Sequence, residues 1–396
     1  MKKVLFLGGS AAQLPAIQYA RSAGHRVITA DYLPDNPGHA LAHEYHNIST
    51  IDKQAILELA TSLLIDGIVA YASEPAAPTA AFVAEKLGLP TNPYETVDIL
   101  TSKDRYRAFL AQHGFICPSH RACRSPQEAR SCVGTLALPV VVKPVDSSGS
   151  RGVTVVHDWG DMETAYAHAL SFSRTKRVIV EEFVGRMGEQ IIGEGFVWRG
   201  ELIVSCFGKH RFDPRINGLV PVGGDFPFGD EDTRRSLRQE LQRLITTVGL
   251  KMGPMNLEFR LGPDGEVYLM EVTPRNGGNM LPQLVTHATG FDMVKNTVDV
   301  ALGVGCDQPE AREMRGFYSY CVLHSVCDGT LRELTLPPCL RAKIVEEKIW
   351  TKPGQRVVRF TGASNSIGVL ILRFESAEEM GEIMDALSEH VGVTLE

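Results

Sequence analysis

Two glutamates flank a turn in the last third of the chain. Glu258 lies in MNLEF and Glu271 in MEVTPRNGG, and both segments alternate apolar and polar residues around GPDG at 262–265. The pattern predicts a hairpin in which the two carboxylates project from one face as diagonal neighbours, about 7 to 8 Å apart at Cα. Hard oxygen ligands without nearby histidine or thiolate suit Mg²⁺ together with substrate phosphates. A solvated acidic strand face would show the same alternation.

An even-numbered loop sets the register of this hairpin. Glu258 then faces Leu269, and Asn256 faces Glu271. The other face of the hairpin becomes apolar and is expected to pack in the core: Leu257, Phe259, Leu261, Tyr268, Met270 and Val272.

A lysine precedes a loop of small residues in VVVKPVDSSGSRGVTVV, 140–156. Lys143 stands near the end of an apolar strand, where a charged side chain needs an anionic partner. The loop 147–152 offers successive backbone N–H groups free of bulky side chains, as expected of a loop that closes over phosphates, and Arg151 adds a guanidinium. A mobile surface hairpin with an incidental lysine would have the same composition.

Arg275 follows Glu271 by four residues and precedes Gly277 and Gly278. A guanidinium beside glycine N–H groups is a good receptor for a carboxylate, an acyl phosphate or a tetrahedral oxyanion. The same residues could also form only a loop.

Composition bounds the class of protein. The 396 residues are 44% hydrophobic and 22% charged, which fits a globular protein of two or three domains. A net charge of -7 argues against nucleic acid as the main partner. Neither a signal peptide nor an apolar run of membrane-spanning length is found, and the eight cysteines form no C-x-x-C pair. We expect a cytoplasmic protein with reduced thiols and no membrane partner.

The N-terminal elements alternate strand and helix. The pattern predicts strands at 3–7, 26–31 and 67–73, one helix that reaches residue 23 and another that spans 53–64. This alternation is typical of a small doubly wound domain. The turn GGSAAQ after the first strand lacks the third glycine of a dinucleotide fingerprint. It fits either a tight packing turn or an anion at a helix N-terminus.

Later segments divide the rest of the chain. LPTNPYET at 89–96 is a plausible boundary, and 97–113 has helical spacing with Thr101 or Ser102 as a cap. A mixed α/β region continues to about 305. After a broken polar stretch, 317–396 reads as an α+β tail of short strands and one helix.

In this order, the motifs resemble the ATP-grasp superfamily of ATP-dependent ligases over nearly the whole chain. The resemblance implies an α/β and α+β multidomain fold similar to biotin carboxylase and the L-amino acid ligases. Its parts are a Rossmann-like domain at 1–95, an ATP-grasp domain at 96–305 with a flexible lid at about 118–182, and a small α+β domain at 306–396.

The resemblance also assigns residues to ATP and to Mg²⁺. TSKDRYRAFL supplies a nucleotide-binding lysine, Lys103. Lys143 is the second lysine, which binds the phosphates. The lid loop over the triphosphate comprises Ser148, Gly149, Ser150, Arg151 and Gly152. The adenine hinge in VIVEEFVGRMGEQ comprises Glu181, Glu182, Phe183 and Val184, with Glu189 on the ribose. FGKHRF offers Lys209 or Arg211 to the phosphates, and the metal ligands are Glu258, Glu271 and Thr273.

Thr273 departs from the family pattern, which is Glu-x-Asn-x-Arg with the asparagine on a magnesium ion. A hydroxyl is a weaker Mg²⁺ ligand than an amide oxygen, so the second metal site is in question. Asn276 is a candidate to compensate.

The implied reaction transfers the γ-phosphoryl group of ATP to a carboxylate, and an amine then attacks the acyl phosphate. Arg275, Gly277 and Gly278 would stabilise the oxyanion, while Ser10 and Glu74 are substrate contacts by their place at strand ends. The leading interpretation is a carboxylate–amine ligase acting on small molecules as a homodimer, the commonest oligomer. The alternatives are a bicarbonate-using carboxylase, or an ATP-binding regulatory protein without turnover, of which Thr273 would be the sign.

Overall fold

The protein is described by a computed structural model over residues 1–184, 189–216, 218, 220–262, 265–308, 310–387 and 391–396. Of the predicted GPDG turn, Pro263 and Asp264 lie outside the described residues. Among the described helices, none is both long and apolar enough to cross a bilayer.

The N-terminal segment forms a parallel four-stranded sheet in the order β3-β2-β1-β4. Its elements are β1 (Lys3–Leu7), α1 (Leu14–Ser22), β2 (Arg26–Ala30), β3 (Glu44–His46), α2 (Lys53–Leu63), β4 (Gly67–Val69) and α3 (Ala77–Leu87). Val4 to Leu7 are fully buried, as expected of a strand covered on both faces. The last strand ends at Val69, earlier than predicted, and Ala72 beyond it has a positive φ of 49°.

The glycine turn after β1 is filled by the protein's own side chains. The Gly9 amide donates to Asp31 Oδ2 at 3.2 Å, and the Ser10 amide donates to Gln13 Oε1 at 2.9 Å. A Cβ on Gly9 would lie 2.3 Å from the His39 ring. Of the two interpretations, these contacts favour the packing turn.

The predicted helix at 97–113 is two helices, α4 (Tyr94–Thr101) and α5 (Lys103–Gln112). Ser102 between them is extended, with φ −112° and ψ 107°. The Lys103 amide donates to Val145 O at 2.9 Å, which fixes the start of α5 against the lysine hairpin.

A second four-stranded sheet, in the order β5-β8-β6-β7, falls within the predicted lid. We call it the lid sheet. Its elements are β5 (His120–Cys123), α6 (Pro126–Arg130), β6 (Val140–Pro144), β7 (Thr154–Val156), α7 (Met162–Ser171) and β8 (Val178–Glu182). β6 and β7 form the hairpin expected from sequence. Val140 and Val142 point to the core under α6 and α7, so Lys143 lies on the other face of the sheet.

The remaining elements centre on an eight-stranded sheet in the order β13-β12-β9-β10-β11-β14-β18-β16. They are β9 (Gln190–Trp198), β10 (Glu201–Arg211), β11 (Gly223–Phe226), α8 (Glu231–Val248), β12 (Met252–Leu261), β13 (Val267–Thr273), α9 (Leu281–Thr289), α10 (Met293–Ala301), β14 (Phe317–Leu323), β15 (Gly329–Thr335), α11 (Pro338–Arg341), β16 (Ile344–Ile349), β17 (Arg356–Val357), β18 (Gly368–Phe374), α12 (Ala377–Asp385) and β19 (Gly392–Leu395). Strands on both sides of the predicted boundary at 305 share this sheet, and the domain limits stay predictions.

The β12–β13 register differs from the predicted one. Glu258 pairs directly with Glu271, and Asn256 pairs with Thr273, because the register shifts between Glu258 and Phe259. The extra residue on β13 is Met270, and such a bulge inverts which side chains face the core. Val267 and Leu269 are therefore in the core, whereas Tyr268 and Met270 are not.

Candidate active site

The two glutamates expected from sequence lie side by side on the eight-stranded sheet. Burial, and then the charge of Glu271, raises the pKa of Glu258 to about 7. Burial also disfavours the charge of Glu271, but Lys103 and Arg275 outweigh it, and the pKa of Glu271 is lowered. Ionising both acids together therefore calls for a cation between them, which fits Mg²⁺.

Lys103, at the start of α5, connects this pair to its surroundings. Its Nζ lies 3.5 Å from Glu271 Oε2 and 3.9 Å from Glu74 Oε1, and donates to Ser147 O at 2.9 Å. Burial works against the lysine charge, but Glu271 and Glu74 outweigh it and raise the pKa of Lys103. The ammonium is thus held at the Glu258–Glu271 pair.

Lys143 faces the same space from the lid sheet. It binds Glu181, which also accepts from Arg107 Nε at 3.1 Å. Burial raises the pKa of Glu181, but Arg107 and Lys143 more than offset this and lower it to about 2. Arg107 Nη1 donates to Met270 O at 2.9 Å, so this arginine joins the lid sheet to the eight-stranded sheet. The sequence reasoning missed Arg107, a charged residue on the buried side of α5.

Arg275 and Glu74 meet although they come from different parts of the chain. Arg275 Nη2 lies 3.1 Å from Glu74 Oε2, and both side chains are largely buried. Burial and the charge of Glu271 raise the pKa of Glu74. The structure therefore brings Glu74, a candidate substrate contact, into the same cluster as the glutamate pair.

Glu194 is a buried acid that the sequence reasoning also missed. It is 0% exposed, and both of its oxygens accept from the Gly277 amide at 2.9 Å. Burial raises the pKa of Glu194 to about 8. The sequence signal that could have revealed it is a single glutamate within the largely apolar strand β9. Because the Gly277 amide is engaged here, Gly278 is left as the donor to propose for an oxyanion.

Lys209 and Arg211 do not reach the glutamate pair, which argues against their expected place at the phosphates. Glu258 aligns with Ile192 and Ile192 with Gly208, so Lys209 and Arg211 point to the opposite face. Lys209 Nζ instead contacts Glu189 Oε1 at 2.7 Å, which draws Glu189 to that face as well. Arg211 binds Asp225 and Asp385, each at 2.6 Å.

The predicted lid loop lies at the edge of the site. Gly149, Ser150 and Gly152 have φ values of 64°, 56° and 76°, a backbone that favours glycine. Arg151 is exposed and donates to Ser148 O at 3.1 Å. Arg151 and Ser10 line one cavity of about 500 Å³ between the lid loop and the N-terminal sheet. Ser10 is therefore placed beside the lid loop.

The hinge segment follows β8 at the edge of the lid sheet. The Phe183 amide donates to Pro139 O at 3.0 Å, and Glu182 Oε1 accepts from the Ala137 amide at 3.3 Å. Val184 is 4% exposed. These contacts fix the segment against β6, and its adenine-binding role stays a prediction.

Comparison with known proteins identifies the family. Residues 103–308 match the family model described as carbamoyl-phosphate synthase L chain, ATP binding domain. The chain belongs to the ATP-grasp superfamily. This ATP-grasp protein is an ATP-dependent ligase with ATP and Mg²⁺ as cofactors.

Individual relatives agree with this membership. The formate-dependent phosphoribosylglycinamide formyltransferase of Rhodococcus jostii is 30% identical over 312 residues, covering 69% of this chain and 68% of the relative. The L-amino acid ligase from Bacillus licheniformis superposes with a TM-score of 0.82 at 20% identity, covering 100% and 99% of the chains. The biotin carboxylase domain of Hydrogenobacter thermophilus 2-oxoglutarate carboxylase, solved with MgADP and bicarbonate, gives 0.79 at 15% identity, covering 100% and 91%. These two structures share the fold of this ATP-grasp protein.

Proposed function

We propose that this enzyme activates a small carboxylate as an acyl phosphate and joins it to an amine, giving an amide, ADP and phosphate. The observation that carries the proposal is one cluster of Glu258, Glu271, Lys103, Arg275 and Glu74. It combines a metal-binding acid pair, cations for phosphates and an ion pair suited to a charged substrate.

The first step moves the γ-phosphoryl group from ATP to the substrate carboxylate. The carboxylate oxygen forms a bond to the γ-phosphorus, the bond to the bridging oxygen breaks, and ADP leaves. Bound Mg²⁺ supplies charge neutralisation between the phosphates and Glu258 with Glu271. Lys103 and Lys143 approach from α5 and from the lid sheet, where their ammonium groups offset the remaining phosphate charge.

In the second step the neutral amine forms a bond to the acyl carbon, the bond to the phosphate oxygen breaks, and the proton lost by the amine leaves with the phosphate. The tetrahedral oxyanion is stabilised by the Arg275 guanidinium and the Gly278 amide. Water would hydrolyse the acyl phosphate, so the loop 147–152 closes over it, with Arg151 moving towards the phosphates. Gly149 and Gly152 carry no Cβ, so the backbone at these two positions can adopt other conformations on closure.

The Glu74–Arg275 ion pair suggests how substrates are recognised. An amino acid carries one ammonium and one carboxylate, which match Glu74 and Arg275 respectively. The cavity of about 500 Å³ beside Ser10 and Arg151 is large enough for the rest of a substrate. The amine substrate is therefore proposed to be an amino acid or a compound that contains one.

We also propose a homodimer. Sedimentation at twice the 43.4 kDa chain mass would support it, and a single species at 43.4 kDa across micromolar concentrations would contradict it.

Phosphate release with ATP, Mg²⁺ and panels of amino acids and small carboxylates tests the reaction. Hydroxylamine is added in parallel, since it converts an acyl phosphate into a stable hydroxamate. We expect ADP formation that depends on a carboxylate, and a ligated product when an amine is added. Turnover that depends on bicarbonate would favour the carboxylase, and nucleotide binding without turnover on any pair would favour a regulatory protein.

A further inference from the structure

Asn256 and Thr273 lie directly opposite each other in the β12–β13 ladder, two residues along from the Glu258–Glu271 pair. The register does not shift between the two pairs, so all four side chains project from the same face. The ATP-grasp pattern has its asparagine at the position of Thr273. An amide is therefore present in this site, but on the neighbouring strand, about 5 Å away across the ladder.

Thr273 itself is badly placed to bind a metal ion. It is 0% exposed, and its hydroxyl donates to Asn256 O at 3.5 Å. Asn256, in contrast, keeps part of its surface exposed on the face that carries the glutamates. Of these two residues, Asn256 is thus the one that has accessible surface.

The Asn256 amide is oriented by β9, the strand on the other side of β12. Its Nδ2 donates to Gly193 O at 3.3 Å and to Glu194 Oε2 at 3.4 Å. A Cβ on Gly277 would lie 2.9 Å from the same nitrogen, so the Gly277 backbone covers it. Because the two ends of an amide point in different directions, a nitrogen held towards β9 leaves the oxygen available on the side of β13.

We propose that Asn256 Oδ1 is a ligand of the Mg²⁺ bound by Glu258 and Glu271, taking the part that the family gives to an asparagine at position 273. An amide oxygen is a hard, neutral ligand, so it adds no further negative charge beside two carboxylates. Glu194 is then a positioning residue, because it binds both Asn256 and the Gly277 amide above it.

Metal binding is measured directly, without turnover. Mn²⁺ replaces Mg²⁺, a non-hydrolysable ATP analogue is present, and free Mn²⁺ is counted by electron paramagnetic resonance. Asn256→Leu should weaken Mn²⁺ binding about tenfold or more, by comparison with the 10- to 100-fold losses known for groups that only support a metal ligand. Asn256→Asp should retain binding, because it keeps an oxygen there.

Thr273→Val is the matched control and should bind Mn²⁺ within about twofold of the parent protein, since it removes only a buried hydroxyl. The exchange variant N256T/T273N should recover the binding lost in Asn256→Thr. The ligand assignment is overturned if Thr273→Val weakens binding while Asn256→Leu does not. Circular dichroism confirms that each variant is folded.

Glu194→Gln tests the positioning role separately. Glutamine replaces one of the two Glu194 side-chain oxygens with an NH₂ group that cannot accept a hydrogen bond, so Mn²⁺ affinity should fall about tenfold while Asn256 is intact. Unchanged affinity in this variant overturns the positioning role and leaves the ligand assignment standing. The inference depends on ATP and Mg²⁺ and not on the proposed substrates. Neither substrate is present in the assay, so a wrong substrate assignment cannot change its outcome.

Discussion

Arg275 and Glu74, 201 residues apart in the chain, form an ion pair of 3.1 Å inside the proposed active site. One partner follows the strand that carries Glu271, and the other follows the last strand of the N-terminal sheet. The N-terminal segment therefore contributes an acid to the site, and binding of a charged substrate must compete with this pair.

Glu74→Gln tests that competition. Loss of the carboxylate removes the partner of an ammonium group, so KM for the amine should rise at least tenfold, the scale for truncating one member of a buried charge pair. The hydroxamate formed without amine should change much less. Steady-state kinetics with both substrates varied separates the two effects. Glu58→Gln, an exposed acid on α2, is the control, and an unchanged KM in Glu74→Gln would contradict the proposed contact.

Lys143→Ala and Glu271→Gln should lower ATP consumption by about 100-fold or more, the scale for loss of one charge-stabilising group. Lys143→Ala leaves Glu181 paired with Arg107, so the fold should persist. Lys209→Ala is a matched lysine control and should keep near-normal turnover, because Lys209 points to the opposite face of the sheet. Phosphate release measures all three. Equal losses in Lys143→Ala and Lys209→Ala would show that the assignment of faces is mistaken.

Gly277→Ala should both destabilise the protein and impair catalysis. Its new methyl group would lie 2.6 Å from Glu194 Oε2, an overpacking expected to cost about 1 to 3 kcal/mol. A Cβ on Gly278 meets nothing within 4 Å, so Gly278→Ala keeps the backbone amide and should be tolerated. Thermal unfolding of the two variants makes the comparison. Equal melting temperatures would mean that the loop yields to the methyl group.

Glu194 predicts a pH dependence of stability. Its pKa is about 8 in the folded protein against an ordinary value of 4.5, so folding favours the protonated form. The unfolded protein loses this proton first as pH rises, and the stability contributed by protonated Glu194 declines from about pH 4.5 to about pH 8. Glu194→Gln removes this titration, so its melting temperature should vary less with pH in that window. Parallel profiles for both proteins would contradict the prediction.

The sequence predicted the elements that its local patterns encode. The glycine hairpin with Lys143, the N-terminal alternation of strand and helix, and the glutamates on one face all follow from periodicity and turn composition. The exact register of β12 and β13 could not be predicted in this way. The bulge at Met270 is set by packing on both strands and leaves no turn signal in the sequence.

Contacts between distant segments could not be predicted from local sequence patterns either. Arg107 and Glu194 are ionisable residues in buried surroundings, and their partners Glu181 and Gly277 lie 74 and 83 residues away. Lys209 and Arg211 were misplaced for a related reason. Motif spacing locates a basic residue on a strand. It does not fix whether that side chain lies on the same face of the sheet as Glu258, which is on another strand.

The shared eight-stranded sheet limits which parts of this ligase can move. Strands β14, β18 and β16 extend the same hydrogen-bonded ladder that carries Glu258, through β11, β10 and β9. Cutting the chain near 305 would remove β14 from β11 and leave the backbone N–H and C=O groups of Gly223–Phe226 unpaired at a new sheet edge. The C-terminal strands are therefore held in one hydrogen-bonded unit with the strand of Glu258, and we expect any opening for substrate entry to occur in the lid sheet and not between these strands.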